Sequence, residues 1–230
     1  MVRLNAVKLV VIIGVLVGFL SESVVGQERS VASYVTPAFF SRIIAQAGTG
    51  CEGKNFYKRS TFLAAANSFP KFGHAGLVTR SKREIAAFFA HVTHETAHFC
   101  FIREIARGTY CQKGTKYPCV AGRKYYGRGP IQLTWNFNYG ACGKSIGVDL
   151  LKNPDLVATN AVISFKAALW FWMNNVHSVI TSGGGFGRTI RRINGGECGG
   201  GNPTAVRNRI KYYKAYCKQL GTTPGPNVSC

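Results

Sequence analysis

Glu95 and Glu104 are the side chains best placed, by type and spacing, to do chemistry. They sit nine positions apart in the run Thr93-His94-Glu95-Thr96-Ala97-His98-Phe99-Cys100-Phe101-Ile102-Arg103-Glu104. The whole chain holds 9 acidic residues against 29 lysines and arginines, so carboxylates are scarce in it. Glu95 lies among histidines and Glu104 follows an arginine. Two carboxyl groups in unlike surroundings can divide acid and base duties, as hydrolysis of a glycosidic bond requires.

Each carboxylate also has a plainer reading. On a helix, Glu95 falls about 20° from Phe88 at 100° per residue, at the shoulder of an apolar stripe. A carboxyl beside apolar surface resists ionisation, which suits a general acid; alternatively it is a surface residue paired with a histidine. Glu104 cannot share a face with Glu95 on one continuous helix, because the two would point oppositely and stand about 13.5 Å apart along the axis. The helix must therefore end near residues 98–100, where a disulfide at Cys100 would hold the turn. Arg103 and Arg107 are the nearby cations able to pair with Glu104, either around a general base or as an ordinary surface pair.

The same segment carries a rival. His94-Glu95-Thr96-Ala97-His98 matches HExxH, in which two histidines one helical turn apart bind zinc and the glutamate activates water. The extended form with a third histidine is missing. Downstream, residues 125–139 read Tyr-Tyr-Gly-Arg-Gly-Pro-Ile-Gln-Leu-Thr-Trp-Asn-Phe-Asn-Tyr. Aromatic faces with planar amides suit a saccharide cleft, and Trp135 is its most prominent ring; equally, the rings could be core. Asn138–Ser145 resembles the end of a phosphate loop but lacks its first glycine.

These residues need a frame to position them. Hydrophobic periodicity and caps predict helices at 37–47, 60–68, 81–98, 160–177 and 203–220. Ser81 and Glu84 read as a capping box for the longest-striped of these, with Ile85, Phe88, Phe89 and Val92 on its apolar face. Residues 105–159 are broken by glycine and read as loops with a small β element. Residues 183–187 and 195–201 read as loops. The pattern is mainly helical.

Ahead of this frame stand a signal-like segment at 1–26 and a short polar lead-in at 27–36. Residues 9–20 are an apolar run too short for a bilayer, which needs about 20 residues. All eight cysteines follow residue 50, which predicts disulfides in an oxidising compartment; Cys111 and Cys119 are close enough to close one loop. The net charge is +20. Secretion argues against nucleic acid as the polyanion it would attract and favours anionic wall or matrix polymers, or simple solubility. No membrane partner is expected.

Taken together, Cys51–Tyr57, Arg83–His91, the HETAHFCFIRE run, Lys124–Pro130, Phe165–Met173, Ile193–Gly196 and Pro224–Asn227 resemble plant chitinases of glycoside hydrolase family 19, most closely the class IV type. The resemblance implies a two-lobed, lysozyme-like helical domain at 37–230, with no cofactor or metal. It implies a secreted, apoplastic monomer that splits chitin and chitooligosaccharides internally, with inversion, in defence or wall turnover. It makes Glu95 the general acid, Glu104 the general base and Thr134 the residue that places the water. It puts Gln132, Trp135, Asn138, Lys166, Asn194 and Arg209 in the cleft or behind the carboxylates. The small chitin-binding module that often precedes this domain is not seen. Ala97 stands for the usual glycine, Thr134 for serine and Phe137 for tyrosine, and the segment at Gly195–Cys198 is one residue short. These departures keep open a catalytically weakened chitin-binding protein. Asn227-Val228-Ser229 is a glycosylation sequon.

Overall fold

The computed structural model describes residues 30–230, so the signal segment expected at 1–26 lies outside the described residues. The helices in chain order are α1 (Val31–Tyr34), α2 (Pro37–Ile44), α3 (Gly53–Phe56), α4 (Arg59–Ala66), α5 (Val78–Thr96) and α6 (Asn136–Ile146). They continue with α7 (Leu156–Thr159), α8 (Ala161–Asn175), α9 (His177–Thr181), α10 (Phe186–Asn194) and α11 (Pro203–Gln219), with a 3-10 turn at Gly195–Glu197 before the last.

Side-chain caps start three helices, the first of them expected from the sequence. Thr36 caps α2, accepting from the Phe39 amide ahead of Pro37 at the first helical position. Asn160 caps α8, and Asn202 caps α11 before Pro203. The helix expected at 81–98 begins three residues earlier, at Val78, and the Ser81–Glu84 box does not form. Both side chains are buried and reach back to the preceding loop instead. Ser81 Oγ accepts from Ala75 N–H at 2.9 Å and Glu84 Oε2 from Gly73 N–H at 3.0 Å. Glu84 Oε1 also takes the Trp172 indole N–H at 2.9 Å and pairs with His177 Nδ1.

Helix α5 is the axis of the molecule. Every residue from 85 to 92 is fully buried, not only the expected stripe. Ala86, Ala87 and Ala90 fill its other faces and keep it slim, so helices can pack all round it. Its most extensive partner is α11, with α9 and α10 on the same side. On the other side α4, α6 and α7 pack on α8. These two groups are the two lobes. Between them Phe62 meets Phe72, Phe88, Phe89 and Phe165 at ring separations of 5.0–6.2 Å, the heart of an aromatic core.

Residues 105–159 are less loop-like than expected, since they contain α6 and α7. The expected β element shrinks, among the described residues, to two isolated bridges, Arg103 with Arg128 and Arg128 with Leu133. The 183–187 stretch yields to α10 at Phe186, and the 195–201 stretch contains the 3-10 turn. Within the lead-in, α1 forms and buries Tyr34, followed by buried Val35. Disulfides join Cys51 to Cys100, Cys111 to Cys119 and Cys198 to Cys230, while Cys142 and Cys217 are buried free thiols.

Candidate active site

Helix α5 stops at Thr96, as the two-carboxylate argument demands. Three successive non-glycine residues, Ala97, His98 and Phe99, then take positive φ of 48°, 63° and 64°. Left-handed turns of this kind are costly for L-residues and survive only where surroundings fix them. Here Thr96 Oγ1 accepts from Phe99 N–H at 2.8 Å, the Cys100 amide bonds Thr96 O at 2.8 Å, and Cys100 is tied to Cys51. The chain reverses and delivers Glu104 to the same cleft as Glu95.

Glu104 is held by a reciprocal pair of bonds. Its amide donates to Gly127 O at 2.9 Å, and Gly127 N–H donates to Glu104 Oε2 at 3.1 Å. A Cβ at residue 127 would lie 2.9 Å from both Glu104 Oε2 and Gln132 Oε1, so a larger residue would displace these two side-chain ends. Glu104 Oε1 is buried and has no hydrogen-bond partner among the described residues. A side-chain hydrogen bond to Glu104 raises the pKa of the Tyr110 phenol. The two arginines expected beside Glu104 go elsewhere. Arg103 faces Glu52 at 3.5 Å and Arg107 sits 6.0 Å from the Tyr126 ring centre. A backbone amide and a phenol surround this carboxylate instead of a guanidinium.

Glu95 has the opposite environment. Burial raises its pKa above the ordinary 4.5, Arg209 opposes that shift, and the neighbouring Glu197 adds to it. Arg209 is buried and donates from Nη2 to Glu95 Oε1. The same guanidinium forks onto Glu197, Nε to Oε2 at 2.7 Å and Nη2 to Oε1 at 2.8 Å. Asn194 Nδ2 adds a bond to Glu197 Oε1 at 3.0 Å. Burial opposes ionisation of Glu197, yet these donors prevail and its pKa is lowered. One arginine thus stands between two carboxyls and is committed mainly to Glu197.

The remaining arm of Arg209 points away from the cleft. Nη1 donates to His91 Nδ1 at 3.1 Å, and His91 Nε2 meets Thr189 Oγ1 at 2.8 Å. An arginine can only donate, so Nδ1 is the acceptor and the imidazole proton is on Nε2. Thr189 Oγ1 accepts the hydrogen bond from that N–H and donates its own to Phe186 O at 2.6 Å. Burial and Arg209 hold the His91 pKa well below 6.5, which fixes the ring as neutral.

The zinc reading fails on geometry. Helix α5 ends before His98, so His94 and His98 do not share a helical face. His98 packs edge-on against Tyr212 at 5.0 Å. His94 is pushed down to about 4 by burial and Arg209, and lies 4.0 Å from Glu197.

The cleft itself is about 540 Å³. Of the nine residues read from the sequence, Glu95, Glu104, Gln132, Thr134, Trp135, Asn138 and Asn194 line it. Arg209 stands behind Glu95, and half-buried Lys166 on α8 does not line the cleft. The 132–138 wall is internally braced. Gln132 Nε2 donates to Gly129 O at 3.0 Å, Thr134 Oγ1 to Gln132 O at 2.8 Å, and Asn138 Nδ2 to Thr134 O at 2.9 Å. Trp135 is 40% exposed, stacks on Phe137 at 6.2 Å and meets Tyr110 edge-on at 5.4 Å.

Comparison with known proteins supplies the family and the fold. Residues 34–183 and 177–230 match the family described as chitinase class I, glycoside hydrolase family 19. The chain belongs to glycoside hydrolase family 19. Endochitinase A of Zea mays is 58% identical over 204 residues, covering 87% of this chain and 72% of its own. Chitinase 4 of Oryza sativa subsp. japonica is 58% identical, covering 89% and 73%. Among solved structures of the family, the class IV chitinase from Zea mays superposes with a TM-score of 0.84 at 57% identity, covering 86% of this chain and 98% of that one. Chitinase C from Streptomyces griseus HUT6037 gives 0.78 at 40%, covering 86% and 97%. The family's two-lobed helical fold is therefore the fold of this chain.

Sequence reasoning missed His91, Thr189 and the role of Glu197 within this family 19 site. Glu197 lies 102 positions beyond Glu95, and no local pattern links the two. Phe101, Ile105, Phe171 and Ile193 also line the cleft unannounced. For Ile105 a signal existed: an isoleucine directly after a candidate base, among polar neighbours, is 85% exposed.

Proposed function

We propose that this chain is an endochitinase that hydrolyses β-1,4 linkages between N-acetylglucosamine units by single displacement with inversion. One observation carries the reading: Glu95 and Glu104 open onto one cleft in unlike surroundings, Glu95 against Arg209 and Glu197, Glu104 against a backbone amide. Glu95, whose pKa burial raises, gives its proton to the leaving glycosidic oxygen. Glu104 Oε1, without a hydrogen-bond partner among the described residues, takes a proton from water as that water attacks the anomeric carbon from the other face. Thr134 supplies a hydroxyl beside the water, and Gln132, Asn138 and Asn194 bind sugar hydroxyl and acetamido groups. Trp135 offers a ring face to a pyranose. Arg209 and Glu197 set the acid. The relatives named above are called endochitinase and chitinase, which supports chitin and its oligosaccharides as the substrate.

Residues 1–26 direct export in this reading, and the mature enzyme works as a monomer in the extracellular space, in defence against fungi or in wall turnover. The test is NMR of fresh products from a chitin hexamer in the presence of a chelator. Prompt α-anomer is the expected result. Prompt β-anomer would refute single displacement, and hexamer binding without cleavage would reduce the chain to a binding protein.

A further inference from the structure

A second concave surface, about 660 Å³, lies outside the catalytic cleft, between α9 and the outer face of α10. It is lined by Ser178, Val179, Ser182, Arg188, Arg191 and Arg192. We propose that this groove binds a linear carboxylated polysaccharide, of the polyuronate type, separately from chitin.

The sequence places the charges. Arg188, Arg191 and Arg192 are at i, i+3 and i+4 on α10, so their side chains share one face. The opposite face of α10, Phe186, Thr189 and Ile190, is buried, so the arginine face has nowhere to turn but outward. All three are exposed. None makes a hydrogen bond or ion pair with another described residue. The contrast with Arg128 and Arg209 is direct, since each of those is committed to carboxylates of this chain. No acidic residue lines the groove.

The lining also decides what kind of anion fits. Chitin is uncharged and gives three guanidiniums nothing to pair with. A single-stranded nucleic acid needs aromatic platforms for its bases, and the groove has none. A membrane surface needs apolar anchors, and Val179 alone does not supply them. A polyuronate carries one planar carboxylate per sugar, which the guanidinium fork matches bidentately. Its hydroxyl groups find Ser178 and Ser182, one helical turn apart on the other wall.

The test compares two triple variants of the full chain that lose the same charge. Arg188→Gln, Arg191→Gln and Arg192→Gln empty the groove. Lys211→Gln, Lys214→Gln and Lys218→Gln remove three exposed lysines of α11 as a control. Binding of demethylated polygalacturonate is measured by titration calorimetry at fixed salt. The groove variant should bind about tenfold or more weakly, the lysine variant within about threefold of the parent. Methyl-esterified polygalacturonate should bind the parent no better than demethylated polymer binds the groove variant. Hexamer hydrolysis should be unchanged in both variants. Equal weakening by both triples would show general charge attraction and overturn the proposal, as would unaltered binding in the groove variant. Single-stranded DNA that bound the same three arginines as tightly as polyuronate would overturn the choice of ligand.

Discussion

At the scale of the residue, the proposed acid Glu95 is defined by what Arg209 does with its three nitrogens. Glu95→Gln keeps an acceptor for Arg209 but has no proton to give, so hexamer turnover should vanish while hexamer binding stays. The same variant tests the raised pKa. Below about pH 4.5 the carboxyl is protonated in both folded and unfolded chains, and the substitution is neutral. Above that, the unfolded chain releases the proton while the folded chain retains it, so stability of the parent falls as pH rises. Glu95→Gln should therefore melt higher than the parent at neutral pH, with the advantage gone near pH 4. A lower melting temperature at neutral pH would contradict the burial account. Glu197→Gln makes a second prediction. It removes a negative neighbour and frees Arg209 for Glu95 alone, which lowers the Glu95 pKa. The alkaline limb of kcat should move to lower pH, and an upward move would be the wrong sign. His91→Phe retains the stacking on Phe186, whose ring centre is 4.9 Å away, but takes away the acceptor for Arg209. We expect kcat to fall roughly tenfold, about 1.4 kcal/mol of barrier, with KM little changed. A rise in KM at constant kcat would place His91 outside the support of the acid.

At the scale of the element, the turn after α5 sets the geometry of the site, and Ala97 is its weak point. The chain takes φ of 48° where an alanine pays about 1 kcal/mol relative to glycine. Ala97 is exposed, so its methyl does not crowd Glu95. Ala97→Gly should raise stability by about 1 kcal/mol in urea unfolding and leave kcat/KM within about twofold. A gain in activity without a gain in stability would return the methyl to the active site. The same turn shows what a sequence can reveal. Its existence followed from two carboxylates that could not share a helix, and its staple from Cys100. The Ser81–Glu84 pattern misled for a physical reason. The spacing that lets a side chain cap its own helix also lets it reach a preceding loop, and only tertiary packing chooses. Helix α6 was hidden by Gly140 and Gly143, which lower helix propensity. Their purpose is close packing: a Cβ at Gly140 would fall 2.4 Å from the Tyr117 ring, and one at Gly143 2.4 Å from Val148 O. Neither contact has a local signature.

At the scale of the whole molecule, the C-terminal segment joins parts of the site that the helices leave separate. It starts beside α5, where Lys82 and Arg83 donate to Gly221 O and Thr223 O. Tyr213 on α11 then donates to Pro224 O at 2.8 Å, and Gly187 on α10 donates its amide to Asn227 O at 2.8 Å. The segment finishes in the Cys198–Cys230 bridge, next to Glu197. Residue 187 has to be glycine for this path, since a Cβ there would lie 1.9 Å from Ser229 O. The strap thus ties the end of the chain to the two elements, α10 and the 3-10 turn, that hold Thr189, Asn194 and Glu197. Replacing both cysteines by serine opens a loop with a sequence separation of 32, worth about 3.7 kcal/mol of stability. If the strap also positions Glu197, the double variant should lose kcat for the hexamer at temperatures well below unfolding, with KM nearly constant. Urea unfolding and steady-state kinetics separate the two effects. Lost stability with full kcat would confine the bridge to holding the lobe together, and would leave Asn194 and Arg209 sufficient to place Glu197.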